Sequence, residues 1–103
     1  MNTQKYRNEI SLCIPRVETN TTISKIKETI NNLSLGVIEK VDVVPIKQND
    51  QDYKKVFIHF KSWFQTERTK KIQDTLVNGE IIKVIHDEPW FWKISLNKSK
   101  FVV

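Results

Sequence analysis

The sequence predicts an α+β domain in which two helices cover one face of a four-stranded antiparallel sheet. Two segments place apolar residues at helical spacing, and several others alternate apolar and polar residues as strands do. These segments follow one another in the order β-α-β-β-α-β, with one additional extended piece before the last strand. A chain of 103 residues with this pattern is expected to form a single domain.

The first predicted strand and helix occupy residues 10–33. Residues 10–17 alternate in polarity, and Pro15 should end that strand because proline has no amide hydrogen to donate. Four apolar side chains then recur at spacings of three and four residues, as on one face of a helix: Ile23, Ile26, Ile30 and Leu33. Thr22 is a suitable N-cap for this helix, and Gly36 lies just beyond its predicted end.

Two further strands are predicted in the middle of the chain. Residues 37–46 are rich in β-branched side chains and should end at Pro45, before a polar loop at residues 47–52. Residues 53–60 alternate again, which leaves Phe57 on the face opposite the core. Three apolar side chains of this strand are expected to face inward: Val56, Ile58 and Phe60.

The last third of the chain predicts a second helix and a hairpin. Ser62 followed by Gln65 fits a capping box, and the helix should end near residues 78–79, where asparagine precedes glycine. Residues 81–86 and 91–96 are extended segments joined by a turn-prone stretch. Within the second segment, alternate apolar side chains should face the core: Trp92, Ile94 and Leu96.

This order of elements is that of the split βαβ, or ferredoxin-like, arrangement. It divides the chain into a basic N-terminal arm at residues 1–9, a folded domain at residues 10–96 and a basic C-terminal tail at residues 97–103. The basic excess lies toward the two ends of the chain, in residues 1–8 and 90–103. The formal net charge of +5 comes entirely from the two ends, since residues 9–89 carry twelve basic and twelve acidic side chains. Attraction to phosphate is therefore expected to be local.

Several classes of protein are disfavoured. No apolar run approaches the roughly 20 residues needed to cross a bilayer, and no signal peptide is recognisable, so we expect a soluble protein of the cytoplasm or nucleus, or of a virion. The single cysteine, Cys13, indicates a reducing compartment. Cys13 and His59 lie on strands predicted to be neighbours, but no third group orients them as a catalytic pair. We therefore predict a protein without enzymatic activity, metal or cofactor.

The third predicted strand carries a motif. Residues 53–60 read YKKVFIHF, and this stretch resembles the third strand of the RNA-recognition motif, K/R-G-F/Y-G/A-F-V-x-F/Y. The second half matches from Phe57 onward, while Lys54 replaces the glycine and Lys55 replaces the first stacking aromatic residue. In the first strand, Cys13 stands where the family usually has another aromatic residue. The resemblance covers residues 10–96.

The resemblance implies that the sheet face and the basic tails bind single-stranded RNA, or single-stranded DNA, with a base stacked on Phe57. The residues expected to contact nucleic acid are Phe57, Lys55, Lys54, His59, Cys13, Arg16, Phe91, Lys93, Lys98 and Lys100. An aromatic ring on a solvent face is costly unless it is used or covered. Coverage of Phe57 by the C-terminal tail is therefore the alternative role for this residue.

Consecutive aromatic residues near the end of the predicted domain, together with the balanced charge of residues 9–89, leave a second function open, a protein-interaction module. Residues 90–92 are three consecutive aromatic residues, which cannot all enter the core of an alternating strand. Trp90 or Trp92 could then anchor a protein partner, because tryptophan is enriched at interface hot spots. Residues 13–17 and 87–93 are also similar to short uncharacterised proteins of large DNA viruses, and the alanine-free composition agrees with an AT-rich genome. The burial of Phe57 should separate the two functions.

Overall fold

A computed structural model describes residues 9–98, which form five strands and two helices. Their order is β1 (Leu12–Val17), α1 (Ile23–Asn31), β2 (Gly36–Gln48), β3 (Gln51–Trp63), α2 (Glu67–Val77), β4 (Ile82–Asp87) and β5 (Trp90–Leu96). The strands form one antiparallel sheet with the spatial order β2-β3-β1-β5-β4. Within residues 9–98, no helix is long and apolar enough to span a membrane.

The predicted four-stranded, ferredoxin-like layout is wrong, because both arms of the C-terminal hairpin join the sheet. β5 pairs with β1, and β4 pairs with β5 and becomes an edge strand. β4 also contributes to the core, since Val84 is buried opposite Trp92. The additional extended piece is thus a fifth strand.

Two prolines lie inside strands that they were predicted to end. β1 continues past Pro15 to Val17, and the pairing of β1 with β3 shifts register between Ile14 and Val17. β2 continues past Pro45 to Gln48. Because β2 lies at the edge of the sheet, one side of its backbone needs no partner, which is where a strand tolerates proline.

The first predicted helix is confirmed. The Thr22 hydroxyl accepts a hydrogen bond from the Lys25 backbone amide at 3.1 Å, which caps the first turn. Ile26 and Ile30 are buried in the core. Ile23, at the start of the predicted apolar stripe, is exposed.

The connections on either side of β3 differ from the prediction. The loop predicted at residues 47–52 is a tight turn at Asn49 and Asp50, whose φ angles of 52° and 63° lie in the left-handed region that these two residue types tolerate. β3 then runs to Trp63, so Ser62 belongs to a strand. Thr66 caps α2, and its hydroxyl accepts from the Thr69 amide at 3.1 Å.

The core lies between the two helices and one face of the sheet. The buried apolar side chains on β3 are those predicted to face inward, together with Trp63. The Trp63 indole Nε1–H donates to the backbone carbonyl of Ile10 at 2.9 Å, and its ring packs against Phe60 with 4.4 Å between centroids. Trp92 and Ile94 of β5 are also buried, as predicted.

Candidate functional site

The sheet face opposite the core carries the predicted site. The register places Phe57 opposite Asp42 of β2 and Cys13 of β1, and Cys13 lies opposite Ser95 of β5. These four side chains therefore form one row across four strands. Both described helices bury their apolar faces in the core on the other side of the sheet. We call the surface around this row the open face.

A depression of about 440 Å³ lies over Phe57 on the open face. Cys13, Lys55, Ser95 and Lys98 are among the residues that line it. The Phe57 ring is half-buried, and the Lys55 Nζ lies 5.6 Å from its centroid, within the range of a cation–π contact. We call this concavity the Phe57 depression. It holds an aromatic ring and a cation side by side.

Cys13 lies low in the Phe57 depression and is 7% exposed. Burial raises the pKa of the Cys13 thiol, although the charge of Lys55 and a hydrogen bond with Ser95 act in the opposite direction. The thiol is therefore protonated at neutral pH. A neutral thiol is a weak hydrogen-bonding group, so Cys13 provides a small, nearly apolar surface next to Phe57.

His59 shares the open face and links β3 to β2 and to Ser11, the residue before β1, through hydrogen bonds. Its Nε2 lies 2.9 Å from Asp42 Oδ2, and its Nδ1 lies 3.0 Å from the Ser11 hydroxyl. The hydrogen bond with His59 lowers the pKa of the Asp42 carboxyl, with a further contribution from Lys40, whose Nζ lies 3.2 Å from Asp42 Oδ1. An ionised carboxylate only accepts, so Nε2 donates to Asp42, and the Nδ1 of a neutral ring accepts from Ser11.

A series of serine, histidine and aspartate is also the composition of a hydrolytic triad. Ser11, however, is 1% exposed, and its hydroxyl is directed to the imidazole of His59. A nucleophile at this depth cannot meet a substrate. The network fixes β1, β2 and β3 relative to one another, and it positions the strands on which Phe57 and Cys13 lie.

A second concavity of about 420 Å³ adjoins the first near the C-terminal hairpin. Arg16, Glu18, Trp90, Phe91 and Lys93 are among its lining residues, and we call it the hairpin cleft. Trp90 is 65% exposed and Phe91 is 43% exposed. The two concavities have three lining residues in common, so they form one continuous surface: Pro15, Ile81 and Ser95.

Basic side chains also meet at the hairpin. Lys83 of β4 lies directly opposite Lys93 of β5, and the Lys83 Nζ is 4.9 Å from the centroid of the Phe91 ring. Arg16 lines the hairpin cleft from the end of β1, where it also lies over the Tyr53 ring at 4.8 Å and donates to the Gln51 side chain. Cations therefore accompany the aromatic rings across the whole surface.

The structure brings most of the predicted site residues together. The Phe57 depression and the hairpin cleft contain Phe57, Lys55, Cys13, Lys98, Arg16, Phe91 and Lys93. Lys54 lies on the opposite face, where its Nζ donates to the Thr21 carbonyl at 3.2 Å. His59 is on the open face but belongs to the network with Asp42. Lys100 and residues 1–8 lie outside the described residues.

Trp92 lies at the base of the hairpin cleft and is almost completely buried. It is 4% exposed, and its ring stacks on His86 with 4.4 Å between centroids. Alternation along β5 directs the Trp92 side chain toward the core, so of the two tryptophans predicted as possible anchors for a protein partner, Trp92 offers little surface. Trp90, at the first position of β5, is the exposed tryptophan of this pair.

Sequence analysis missed two residues of the open face. Tyr53 has the same alternation as Lys55 and Phe57, so the pattern of β3 already placed it on this surface. Lys83 could be found only from the register of the β4–β5 hairpin, which sets it opposite Lys93. No such register was assigned from the sequence.

Comparison with known proteins yields no matching family model, no matching curated protein and no matching solved structure. Function therefore has to be inferred from the geometry and charge of the open face.

Proposed function

We propose that this protein binds single-stranded RNA across the open face and catalyses no reaction on it. The observation that carries the proposal is the placement of Phe57, whose half-buried ring lines a depression on the sheet face opposite the core, with the end of α2 at its border. A base stacked on such a ring contributes about 1–3 kcal/mol of binding free energy. The resemblance of β3 to the RNA-recognition motif supports the same use of Phe57.

The charge of the open face supports contact with phosphate. Five basic side chains line the two concavities or lie over a ring at their border: Arg16, Lys55, Lys83, Lys93 and Lys98. The carboxylates in the same linings are Glu18 and Glu80, and Asp42 nearby is paired with Lys40. The open face is thus locally basic even though residues 9–89 are balanced in charge. Affinity should fall as salt rises, because binding releases counterions from the phosphates.

Single strands fit this surface better than duplexes. The bases of a duplex are already stacked on one another, whereas an unpaired base can lie on an aromatic side chain. Phe57 and Phe91 lie in adjoining concavities, so two separate bases of one strand could be accommodated.

The test is a fluorescence-anisotropy titration of a short labelled single-stranded RNA with the full chain, with a DNA strand and an RNA duplex as competitors. We expect binding that weakens between about 50 and about 200 mM salt. Phe57→Ala should weaken binding by ~1–3 kcal/mol, about 5- to 150-fold. The matched control is Phe64→Ala, which removes an exposed ring that lines neither concavity and should leave affinity unchanged.

Thermal melts of both variants must accompany the titrations. Absence of RNA binding by the full chain in low salt contradicts the proposal, as does an equal loss in the two variants. A Phe57→Ala variant that melts early yet binds RNA normally would show that this ring has a structural role.

A protein-interaction function is the second candidate, and the exposed apolar edge at the hairpin favours it. Ile81, Ile85 and Trp90 are each more than half exposed, and β4 is an edge strand. Contiguous exposed apolar surface often marks a contact between proteins. Light scattering of the full chain tests self-association through this edge. If the chain forms an oligomer in this way, Ile85→Lys should dissociate it, and a monomeric wild type would leave no such contact between copies.

A further inference from the structure

We propose that the hairpin cleft is a guanine-selective subsite that receives one nucleotide of the bound RNA. This inference rests on the proposed function and adds to it a specificity that the Phe57 depression does not supply. Stacking on a ring accepts any base, so selectivity needs a polar group that faces the edge of the base.

The size and lining of the hairpin cleft suit one nucleotide. Its volume of about 420 Å³ falls within the range of small-ligand sites. Trp90 and Phe91 present two large, exposed aromatic surfaces at its border. A base can stack on these rings without burying a polar group of the protein.

The cations around the cleft suit a phosphate. Lys83 and Lys93 are directly opposite in the β4–β5 ladder, and like charges in that position destabilise a sheet. Arg16 contributes a third positive charge from the end of β1. A phosphate bound between these side chains would relieve the repulsion between the two lysines.

Glu18 gives the cleft its selectivity. Its carboxylate is exposed at the lining and has neither a hydrogen bond nor an ion pair within the described part of the chain. A negatively charged carboxylate repels the phosphate of a nucleotide unless hydrogen-bond donors on the same ligand face the carboxylate. Among the four bases, guanine alone presents two adjacent donors, N1–H and the N2 amino group, on its Watson–Crick edge. Adenine, cytosine and uracil each place an acceptor beside their donor, which a carboxylate repels.

The test is a titration of the full chain with GMP, AMP, CMP and UMP, followed by tryptophan fluorescence. Trp90 and Trp92 both line the cleft, whereas Trp63 lies in the core away from it, so a change in fluorescence on titration reports on the cleft. A bidentate contact to a base discriminates by ~1–3 kcal/mol, so GMP should bind about 5- to 150-fold more tightly than the other three nucleotides. Glu18→Gln should abolish this preference. Glu28→Gln, on the exposed side of α1, changes the net charge equally and should preserve it.

A second readout uses labelled oligouridine strands with and without one guanine, measured by anisotropy. The strand with guanine should bind more tightly to the wild type and to Glu28→Gln, and not to Glu18→Gln. If both strands bind equally to the wild type, the guanine subsite is refuted while RNA binding stands. If GMP binds selectively but neither strand binds, the proposed function fails and the subsite stands. A guanine preference that persists in Glu18→Gln overturns the role of this carboxylate.

Discussion

Lys54 and Lys55 are adjacent in the sequence, yet the structure places them on opposite faces of β3. Lys55 lies over the Phe57 ring on the open face, and Lys54 donates to the Thr21 carbonyl on the helix side. If RNA binds across the open face, Lys55 is the one of these two lysines that neutralises a phosphate. Lys55→Gln should therefore weaken RNA binding, and Lys54→Gln should leave it nearly unchanged.

The magnitude follows from counterion release. Each phosphate neutralised on a single strand contributes about 0.7 to the slope of log affinity against log salt, so Lys55→Gln should reduce that slope by about 0.7. Both variants lower the net charge of +5 by one, which makes any general effect of charge common to the pair. Lys54→Gln loses one partly buried hydrogen bond, so its free energy of unfolding should fall by about 0.5–1.5 kcal/mol.

The assay is anisotropy of a labelled single-stranded RNA at four or more salt concentrations, with urea denaturation of each variant. Equal reductions of the salt slope in Lys54→Gln and Lys55→Gln would refute the placement of RNA on the open face. A larger reduction in Lys54→Gln would place RNA on the helix side of the sheet.

Three further predictions concern the scaffold. Trp63→Phe leaves the buried carbonyl of Ile10 without its donor, so urea denaturation should show a loss of about 1–3 kcal/mol, and an unchanged midpoint would contradict this. Asp42 has a pKa lowered by its hydrogen bond with His59, so it contributes stability above the ordinary carboxyl pKa that is lost as pH falls through the lowered value. Melting temperatures of Asp42→Asn should thus depend less on pH in that acidic range, and a parallel pH profile would exclude this role. Gly36→Ala would bring a Cβ to 2.9 Å from the Trp63 Cα, so calorimetry should show destabilisation by about 1–3 kcal/mol, and a variant as stable as the wild type would refute the close approach of β2 and β3.

The sequence predicted a strand or helix well where a polarity pattern repeats along that one element. Alternation in β3 and β5 placed Phe57 outside and Trp92 inside, and the Thr22 cap and apolar stripe placed α1. Both kinds of signal depend on residues a few positions apart. The same period of two also assigns Lys54 to the face opposite Lys55, although both were predicted to contact nucleic acid.

Features set by pairing between distant segments were not predictable in this way. Ser62 with Gln65 resembles a helix cap, but pairing with the start of β2 draws Ser62 and Trp63 into β3 and moves the cap to Thr66. Pro45 is tolerated because β2 is an edge strand, a fact of sheet order that the local sequence does not contain. The fifth strand likewise depends on β5 pairing with β1 on one side and β4 on the other.

The candidate site also combines features that local sequence predicts with features that depend on contacts between distant segments. The aromatic and basic residues of the open face could be chosen from their alternation, whereas the hairpin cleft depends on the packing of the hairpin beside the end of β1. Glu18 has no distinctive sequence signal, and its relevance comes from its place in the lining of that cleft.

Ultraviolet cross-linking of the full chain to single-stranded RNA, with the cross-linked peptides identified by mass spectrometry, tests the central claim most directly. RNA bound across the open face should attach to peptides containing Phe57 and Phe91, and the Phe57 cross-link should disappear when unlabelled RNA competes. Cross-links confined to peptides of α1 and α2, on the other side of the sheet, would contradict the account.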